Sequence, residues 1–308
     1  MHRRGRRRAT LRLPYPVSRI PYPVSSAPIA PAMTLHPSGL NIHIAGAGPS
    51  FLWAHGMMGS MAAEDALGIL RWDRFPATWR LLRYDARGHG ASAASTDPRQ
   101  HTWPQLARDM LAVADAGAAA SFVGGGWSMG CATVLHAALQ APARIQGLVL
   151  MLPPAVWEGR SAQAALYRRA LRLCQAVGPA RFARLAATDA GLPPWLLQAA
   201  PRMGAAMRDA TLRMAAPSIP CLFEGAARSD LPPREALAAL AAVPALIVAW
   251  PGDPAHPLAA ARELHRLLPR SSLLIAATHD EVLGIPDALQ RFLRTIGAPE
   301  ASTLTGSV

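Results

Sequence analysis

The chain has 308 residues, and 51% of them are hydrophobic, so it is long enough to bury a large core. Its three cysteines, Cys131, Cys174 and Cys221, are too few and too scattered for a disulfide framework or a zinc site, and we expect a reducing, cytoplasmic setting. No apolar stretch approaches the roughly 18 residues that a spanning helix needs, so no membrane partner is expected.

The formal charge of +12 is concentrated at the start of the chain. Residues 1–33 carry seven arginines and no acid, which leaves 24 arginines against 19 acids in the rest. This balance argues against nucleic-acid binding by the body, although the leader as a nucleic-acid arm stays an alternative. PYPVS occurs twice in the leader, and its prolines predict a disordered, extended segment, with a transit peptide as the alternative.

Hydrophobic runs that stop at glycine or proline recur from Thr34 onward, which is typical of strands in a sheet covered on both faces. The predicted strands lie in LNIHIAG (40–46), SFLWAHG (50–56), WRLLRYDARGHG (79–90), ASFVGGGWSMG (120–130), IQGLVLMLPP (145–154), VPALIVAW (243–250) and SSLLIAA (271–277). Helices are predicted over 103–116, 129–140, 257–268 and 286–296.

Alternation of strands and helices predicts an α/β fold with a mostly parallel central sheet flanked by helices. Residues 155–230 interrupt it, because they are rich in alanine, leucine and arginine and contain no clear strand. We therefore expect a leader (1–33), a first core segment (34–154), a helical cap (155–230), a second core segment (231–297) and a tail (298–308). The cap should lie over the carboxyl ends of the strands, where open parallel sheets bind ligands.

The stretch GGGWSMGC, residues 124–131, contains G-x-S-x-G between a predicted strand and a predicted helix. In so tight a turn, a Cβ at Gly126 or Gly130 would collide with the neighbouring strand or helix. Glycines there leave Ser128 exposed at a helix start whose free N–H groups favour negative charge. Ser128 is therefore the predicted nucleophile.

A serine hydroxyl needs a base that removes its proton and an acid that orients the base. Asp253 follows the strand LIVAW and His279 follows the strand SSLLIAA, in the order Ser, Asp, His that this architecture expects. We predict Asp253 as the acid and His279 as the base. Glu158, a few residues past the preceding strand, is the alternative acid.

Backbone N–H groups should stabilise the developing oxyanion. Met129 follows the nucleophile directly, and Met57 lies in the loop WAHGMMGS after an earlier strand. We predict these two amides as the oxyanion hole.

The motifs HGMMGS, YDARGHGAS, GWSMG, GDPAHP and THDEVLGIP occur in this order, and with them the chain resembles the α/β-hydrolase superfamily over residues 34–297. The resemblance implies a Ser-His-Asp triad, a helical cap after the sixth core strand and no cofactor. Trp250 and Thr278 stand where relatives often have smaller residues. A serine nucleophile is unlike the aspartate of the haloalkane-dehalogenase and epoxide-hydrolase branches.

Other polar residues in these motifs are assigned structural positions. Asp85, Arg87 and His89 in the RGHG turn are expected to be structural, and His43 and His256 are interpreted as a strand and a loop histidine and not as metal ligands. Predicted substrate-binding residues are Trp127, Trp157 and Trp195. Apolar residues of the cap suggest an apolar substrate moiety, although the helical spacing of its methionines also fits a cap core.

The function predicted from these residues is cofactor-independent hydrolysis of a small carboxylic ester or lactone through an acyl-enzyme. The same triad can serve carbon–carbon bond hydrolysis or perhydrolysis, and a ligand receptor or sensor partner with slow turnover is the alternative from another class. The expected partner is a small molecule, with no nucleic acid, no membrane and an open oligomeric state.

Overall fold

A twisted sheet of eight strands lies at the centre of the computed structural model, which describes residues 34–35, 38–188 and 191–297. The predicted leader and tail lie outside these described residues. The strands are β1 (Thr34–Leu35), β2 (Asn41–Ala45), β3 (Ser50–Ala54), β4 (Arg80–Tyr84), β5 (Phe122–Trp127), β6 (Ile145–Met151), β7 (Ala245–Ala249) and β8 (Ser271–Ile275). Their order is β1-β2-β4-β3-β5-β6-β7-β8. The pairs β1–β2 and β2–β4 are antiparallel, and the other five pairs are parallel.

Eleven α-helices surround this sheet among the described residues. They are α1 (Met61–Leu67), α2 (Trp103–Ala116), α3 (Met129–Gln140), α4 (Arg160–Val177), α5 (Pro179–Ala186), α6 (Pro194–Ala199), α7 (Pro201–Leu212), α8 (Ile219–Ala227), α9 (Leu258–Leu267), α10 (His279–Leu283) and α11 (Ile285–Gly297). Helices α2, α3 and α9 cover one face of the sheet, whereas α1 and α11 cover the other.

Central strands such as β3 and β7 are continuous apolar runs because both faces of the sheet are buried there. Successive residues alternate between the two faces, so that Phe51 and Trp53 pack on the α1–α11 side and Leu52 packs on the α2–α3 side. All five residues of β3 and of β7 are buried. The predicted fold class, a mostly parallel sheet flanked by helices, is confirmed.

Helices α4–α8 lie between β6 and β7 in the chain and are called the cap here. Cys174, Phe182, Met214 and Phe223 belong to an apolar cluster within it. Arg160, at the start of α4, donates hydrogen bonds to the carbonyls of Ala226 and Ser229 at the end of α8, and its guanidinium lies 4.2 Å from the Trp103 ring. One buried arginine thus joins the two ends of the cap to each other and to the core.

Candidate active site

Ser128 lies at the turn between β5 and α3, with a backbone φ of 54° and ψ of −109°. A Cβ at Gly126 would approach the Gly130 carbonyl carbon to 2.4 Å, and one at Gly130 would approach the Ala54 oxygen to 2.0 Å. The predicted collisions are therefore present, and only glycines fit on either side of the serine. Ser128 itself stays half-exposed.

The Ser128 hydroxyl lies against the imidazole of His256, with 2.7 Å between Oγ and Nε2. The other ring nitrogen, Nδ1, lies 2.8 Å from Oδ2 of Asp253. Since an ionised carboxylate only accepts, Nδ1 carries the ring proton and Nε2 is free to accept from the serine. This is the tautomer that a general base for Ser128 needs.

Asp253 and His256 lie three residues apart in the loop after β7. Oδ1 of Asp253 accepts hydrogen bonds from the backbone N–H groups of Ala255 and His256, which folds the loop into a turn that brings Nδ1 to Oδ2. The Trp250 indole also donates to Oδ2 at 3.0 Å. Burial acts to raise the pKa of Asp253, but the hydrogen bonds and the charge of His256, with Trp250 and Ala255, outweigh burial and lower this pKa.

The structure joins Ser128 and Asp253 through His256 and not through His279, the base predicted from the sequence. His279 is the first residue of α10, is half-buried and makes no hydrogen bond to Ser128 or Asp253. Only three residues separate the end of β8 at Ile275 from His279, and Thr278 caps the helix in a reciprocal bond with Glu281.

Strand order gives the physical reason for this placement. In the sheet, β7 lies two positions from β5, and β8 lies three positions from β5. Adjacent strands are about 4.8 Å apart, so the end of β8 is farther from Ser128 than the end of β7 by roughly that distance. A short connection after β8 holds His279 at its own helix start, whereas the loop after β7 reaches Ser128. His256 does lie in a loop, as interpreted from the sequence. Its contact with Ser128 was not predicted. The available signal was the spacing D-x-x-H in GDPAHP.

The loop that carries Met57 runs beside the nucleophile. A Cβ added at Gly56 would lie 3.6 Å from Cβ of Ser128, and Gly59 N–H closes the turn onto the Gly56 carbonyl at 3.1 Å. Neither the Met57 nor the Met129 amide donates a hydrogen bond within the part of the chain that the structure describes. Both predicted oxyanion donors are therefore free to bind an oxygen near Ser128.

Two buried histidines fasten this loop to the turn after β4. His55 Nε2 accepts from the Ala86 amide at 2.9 Å, and His89 Nε2 accepts from the Met58 amide at 3.2 Å. Their Nδ1 atoms donate to the carbonyls of Gly56 and Arg87. Burial, followed by the charge of His55, holds the pKa of His89 well below its ordinary value, which keeps Nε2 an acceptor.

The other two polar residues of the RGHG turn also make structural contacts. Asp85 accepts from the amides of Met61 and Ala91, and Arg87 pairs with Asp109 at 2.7 Å. These bonds fix the turn to α1 and α2, as expected for residues outside the reaction.

The alternative acid, Glu158, faces solvent with 78% of its side chain exposed. Its two carboxylate oxygens bind Arg234 at 2.9 and 2.6 Å, and none of the histidines that the structure describes forms a hydrogen bond with it. Glu158 lies in an ion pair at the base of the cap and is not brought to His256 or His279.

The three tryptophans predicted to bind substrate differ in their surroundings. Trp127 is buried edge-on against Trp250, with 5.7 Å between ring centroids. Half-buried Trp195 donates to the Pro251 carbonyl at 2.9 Å, just before Asp253. Trp157 donates to the Pro232 carbonyl and stacks under Arg234, which places its indole in the base of the cap.

Apolar side chains of the loop that carries Met57 reach the cap. Met57 and Met58 pack against the apolar cluster of the cap. Met57 also packs against the hydrophobic core between the sheet and helices α2 and α3. Met203 and Met214 are buried, so these two methionines belong to the packed interior. An apolar boundary between loop and cap thus adjoins the serine.

The described residues contain no group of three or more histidine, cysteine or acidic side chains that could hold a metal ion. None of their helices is both long enough and apolar enough to cross a membrane.

A serine at a strand-to-helix turn, a histidine and a carboxylate on a parallel sheet define a hydrolase. The model of the alpha/beta hydrolase fold family matches residues 49–292, and the chain belongs to this family. No curated protein matches the sequence significantly.

Solved structures of esterases and hydrolases are similar to this chain. A thermophilic esterase from Thermogutta terrifontis superposes with a TM-score of 0.70 at 22% identity, over 84% of this chain and 94% of the esterase. A hydrolase from Pseudomonas aeruginosa PA01 gives 0.66 at 24%, over 84% and 94%. The enol-lactonase from Burkholderia xenovorans LB400 gives 0.59 at 24%, over 83% and 95%. At these identities the likeness establishes the fold.

Proposed function

We propose that this chain hydrolyses a small carboxylic ester or lactone without a cofactor, through Ser128, His256 and Asp253. The observation that carries the proposal is the unbroken hydrogen-bond chain from Ser128 Oγ through His256 to Asp253, at 2.7 and 2.8 Å. His279 stays a prediction from the sequence, and it is tested against His256 below.

In the acylation step, Ser128 Oγ attacks the carbonyl carbon while its proton moves to Nε2 of His256. Electrons of the C=O bond move to the oxygen, which the Met57 and Met129 amides are positioned to stabilise. Asp253 holds the tautomer of His256 and stabilises the imidazolium as it forms. Collapse breaks the ester C–O bond, and His256 gives its proton to the leaving alkoxide.

Deacylation repeats these roles with water. His256 takes a proton from the water as it attacks the acyl carbon, and the bond to Ser128 Oγ breaks with return of the proton to the serine. A lactone follows the same course, except that its leaving alkoxide stays attached to the acyl chain until the acid is released.

The site favours an apolar acyl group. Met57, Met58 and Trp195 contribute apolar surface near the triad, and the similar structures include an esterase and an enol-lactonase. We propose these classes of ester and lactone as substrates, in the reducing, cytoplasmic setting expected from the cysteine content.

A fluorophosphonate probe tests the proposal, because it forms a covalent bond only with an activated serine. We expect one label, on Ser128, and sustained turnover of p-nitrophenyl esters of short acyl chains. Ser128→Ala should lose both label and turnover while its free energy of unfolding stays within about 1 kcal/mol of the parent.

Other results would contradict the proposal. Turnover that survives in Ser128→Ala would require another nucleophile, and a single burst without sustained release would favour a ligand receptor. A labelled serine that cleaves none of a panel of esters and lactones would favour carbon–carbon bond hydrolysis or perhydrolysis.

A further inference from the structure

The positive charge of the body is concentrated in the cap. Residues 160–227, which span the cap, hold nine arginines against three carboxylates, whereas residues 34–159 and 228–308 together hold 15 arginines and 16 carboxylates. Helices α4 and α5 contain arginines and no acid at all. Outside the leader, the excess of positive charge therefore belongs to one element of the fold.

The arginines on the outside of α4 and α5 are unpaired with any described acid. They are Arg168, Arg169, Arg172, Arg181 and Arg184, all exposed. None of them forms an ion pair within the described residues, in contrast to Arg83, Arg87 and Arg234 of the core and the cap base. These five cations therefore repel one another, and no ion pair with a described acid compensates this repulsion.

Exposed leucines lie among these arginines. Four of the six exposed large hydrophobic residues are in the cap, namely Leu166, Leu173, Leu185 and Leu212, and between 43% and 57% of each is accessible. Ordinary surface leucines are scattered singly. Here apolar exposure and positive charge, which are independent properties, coincide on one part of the molecule.

Helix geometry brings the two together. Leu166, Arg169 and Leu173 are spaced i, i+3 and i+7, so they form a stripe along one side of α4. Arg181 and Leu185 are spaced i, i+4 on α5, which packs against α4. These five residues are called the cap face. The opposite side of α4, with Ala164 and Cys174, is buried.

We propose that the cap face binds the surface of an anionic phospholipid bilayer. Arginines attract the phosphate headgroups, and leucines interleaved with them enter the boundary between headgroups and acyl chains. Such binding is peripheral, in agreement with described helices that are too short or too polar to span a bilayer. The expectation of no membrane partner, drawn from the lack of an apolar span, does not extend to a surface of this kind.

Two other occupants fit the cap face less well. A nucleic acid would use the arginines and leave the leucines exposed, because phosphate contacts are polar. A second copy would bring two faces of the same charge together, without acids to compensate them. Of these three occupants, anionic lipid is the one that would contact both the arginines and the exposed leucines.

Co-sedimentation of the full chain with vesicles tests the proposal. We expect binding to vesicles that contain about 30% phosphatidylglycerol in phosphatidylcholine, little binding to phosphatidylcholine alone, and a loss of binding as NaCl rises from about 50 to about 500 mM. The combined change Arg169→Glu and Arg181→Glu should weaken binding at least about tenfold, because each lost cation removes an attraction to the surface. Leu166→Ser with Leu173→Ser should weaken it severalfold at low salt.

Matched controls separate the cap face from the leader and from general loss of leucine. Arg3→Glu with Arg4→Glu changes the net charge of the leader by the same amount, and Leu283→Ser removes an exposed leucine outside the cap. We expect both controls to keep most of the binding. All variants should keep the parent melting temperature and the turnover of a water-soluble ester, so failure here would leave the proposed hydrolysis intact.

The proposal would be overturned if the chain did not bind the anionic vesicles, or if the leader control lost the binding and the cap variants kept it. Salt-dependent binding to duplex DNA without vesicle binding, left unchanged by the leucine variant, would assign the cap face to nucleic acid. A concentration-dependent dimer that the leucine variant abolishes would assign it to a second copy.

Discussion

Ser128 and Asp253 are each held by the backbone around them. Positive φ at a non-glycine residue costs about 1 to 3 kcal/mol, and it persists at Ser128 because β5 and α3 fix the turn from both sides. Asp253 accepts two amides and an indole in addition to His256. A carboxylate held in this way stays ionised and points its free lone pairs at the imidazole, which is what the orienting acid of a triad requires.

Replacement of Asp253 tests the identity of the acid. Asp253→Asn should lower kcat by about 10⁴ with the loop in place, because an amide can donate to Nδ1 and so favour the wrong tautomer of His256. Glu158→Gln, the matched change at the alternative acid, should stay within about tenfold of the parent, since both carboxylate oxygens of Glu158 bind Arg234 away from the triad. Steady-state kinetics with one p-nitrophenyl ester would compare them, and the opposite ranking would assign the acid to the cap base.

At the scale of elements, the conformation of the loop between β3 and α1 depends on contacts with neighbouring elements. The loop between β3 and α1 contains Met58 with φ of 64°, and its amide is held by His89 from the turn after β4. An N–H that faces an imidazole nitrogen demands a neutral ring. His89 thus positions the loop, and its protonation would replace an attraction with a repulsion.

A change at His89 should alter stability as a function of pH. In the folded chain the pKa of His89 lies well below its ordinary value of 6.5, so the unfolded chain takes up a proton at higher pH than the folded chain does. The contribution of His89 to the free energy of unfolding is therefore complete above about pH 6.5 and decreases as the pH falls below it. Depressed pKa values at His43, His101 and His136 act in the same direction. Urea titrations between about pH 4.5 and 7.5 should show a shallower fall for His89→Gln than for the parent.

Controls distinguish positioning from packing. His89→Ala should lower kcat about tenfold with little change in KM, and His89→Gln should recover part of it because its amide oxygen can accept from Met58. A pH dependence identical in parent and His89→Gln would show that the ring is not held neutral.

At the same scale, sequence patterns predicted elements better than contacts between them. Alternation of apolar and polar residues identified β2, and apolar runs identified β3 to β8. Helical periodicity gave α2 and α3 with their observed bounds. Collisions at Gly126 and Gly130 followed from the turn alone. The partner of Ser128 did not, because a histidine after β8 and one after β7 are both near the carboxyl edge, and the lengths of two loops decide which reaches β5.

For the whole molecule, charge and fold are distributed unevenly. The parallel sheet carries the proposed catalytic residues on its carboxyl edge. Outside the leader and the cap, arginines and carboxylates are nearly equal in number. The cap contributes apolar surface to the site on one side and arginines with leucines on the other. The overall charge predicted neither feature, because the basic leader masks the asymmetry between cap and core until the arginines are assigned to elements.

A comparison of two histidines tests the central claim, that His256 is the base for Ser128. His256→Ala and His279→Ala should both fold with the parent melting temperature, and kcat/KM for a p-nitrophenyl ester is then measured for each. We predict that His256→Ala loses about 10⁴-fold or more and reacts slowly with the fluorophosphonate probe, whereas His279→Ala stays within about tenfold of the parent. A crippled His279→Ala beside an active His256→Ala would contradict this and assign the proton transfer to the loop after β8.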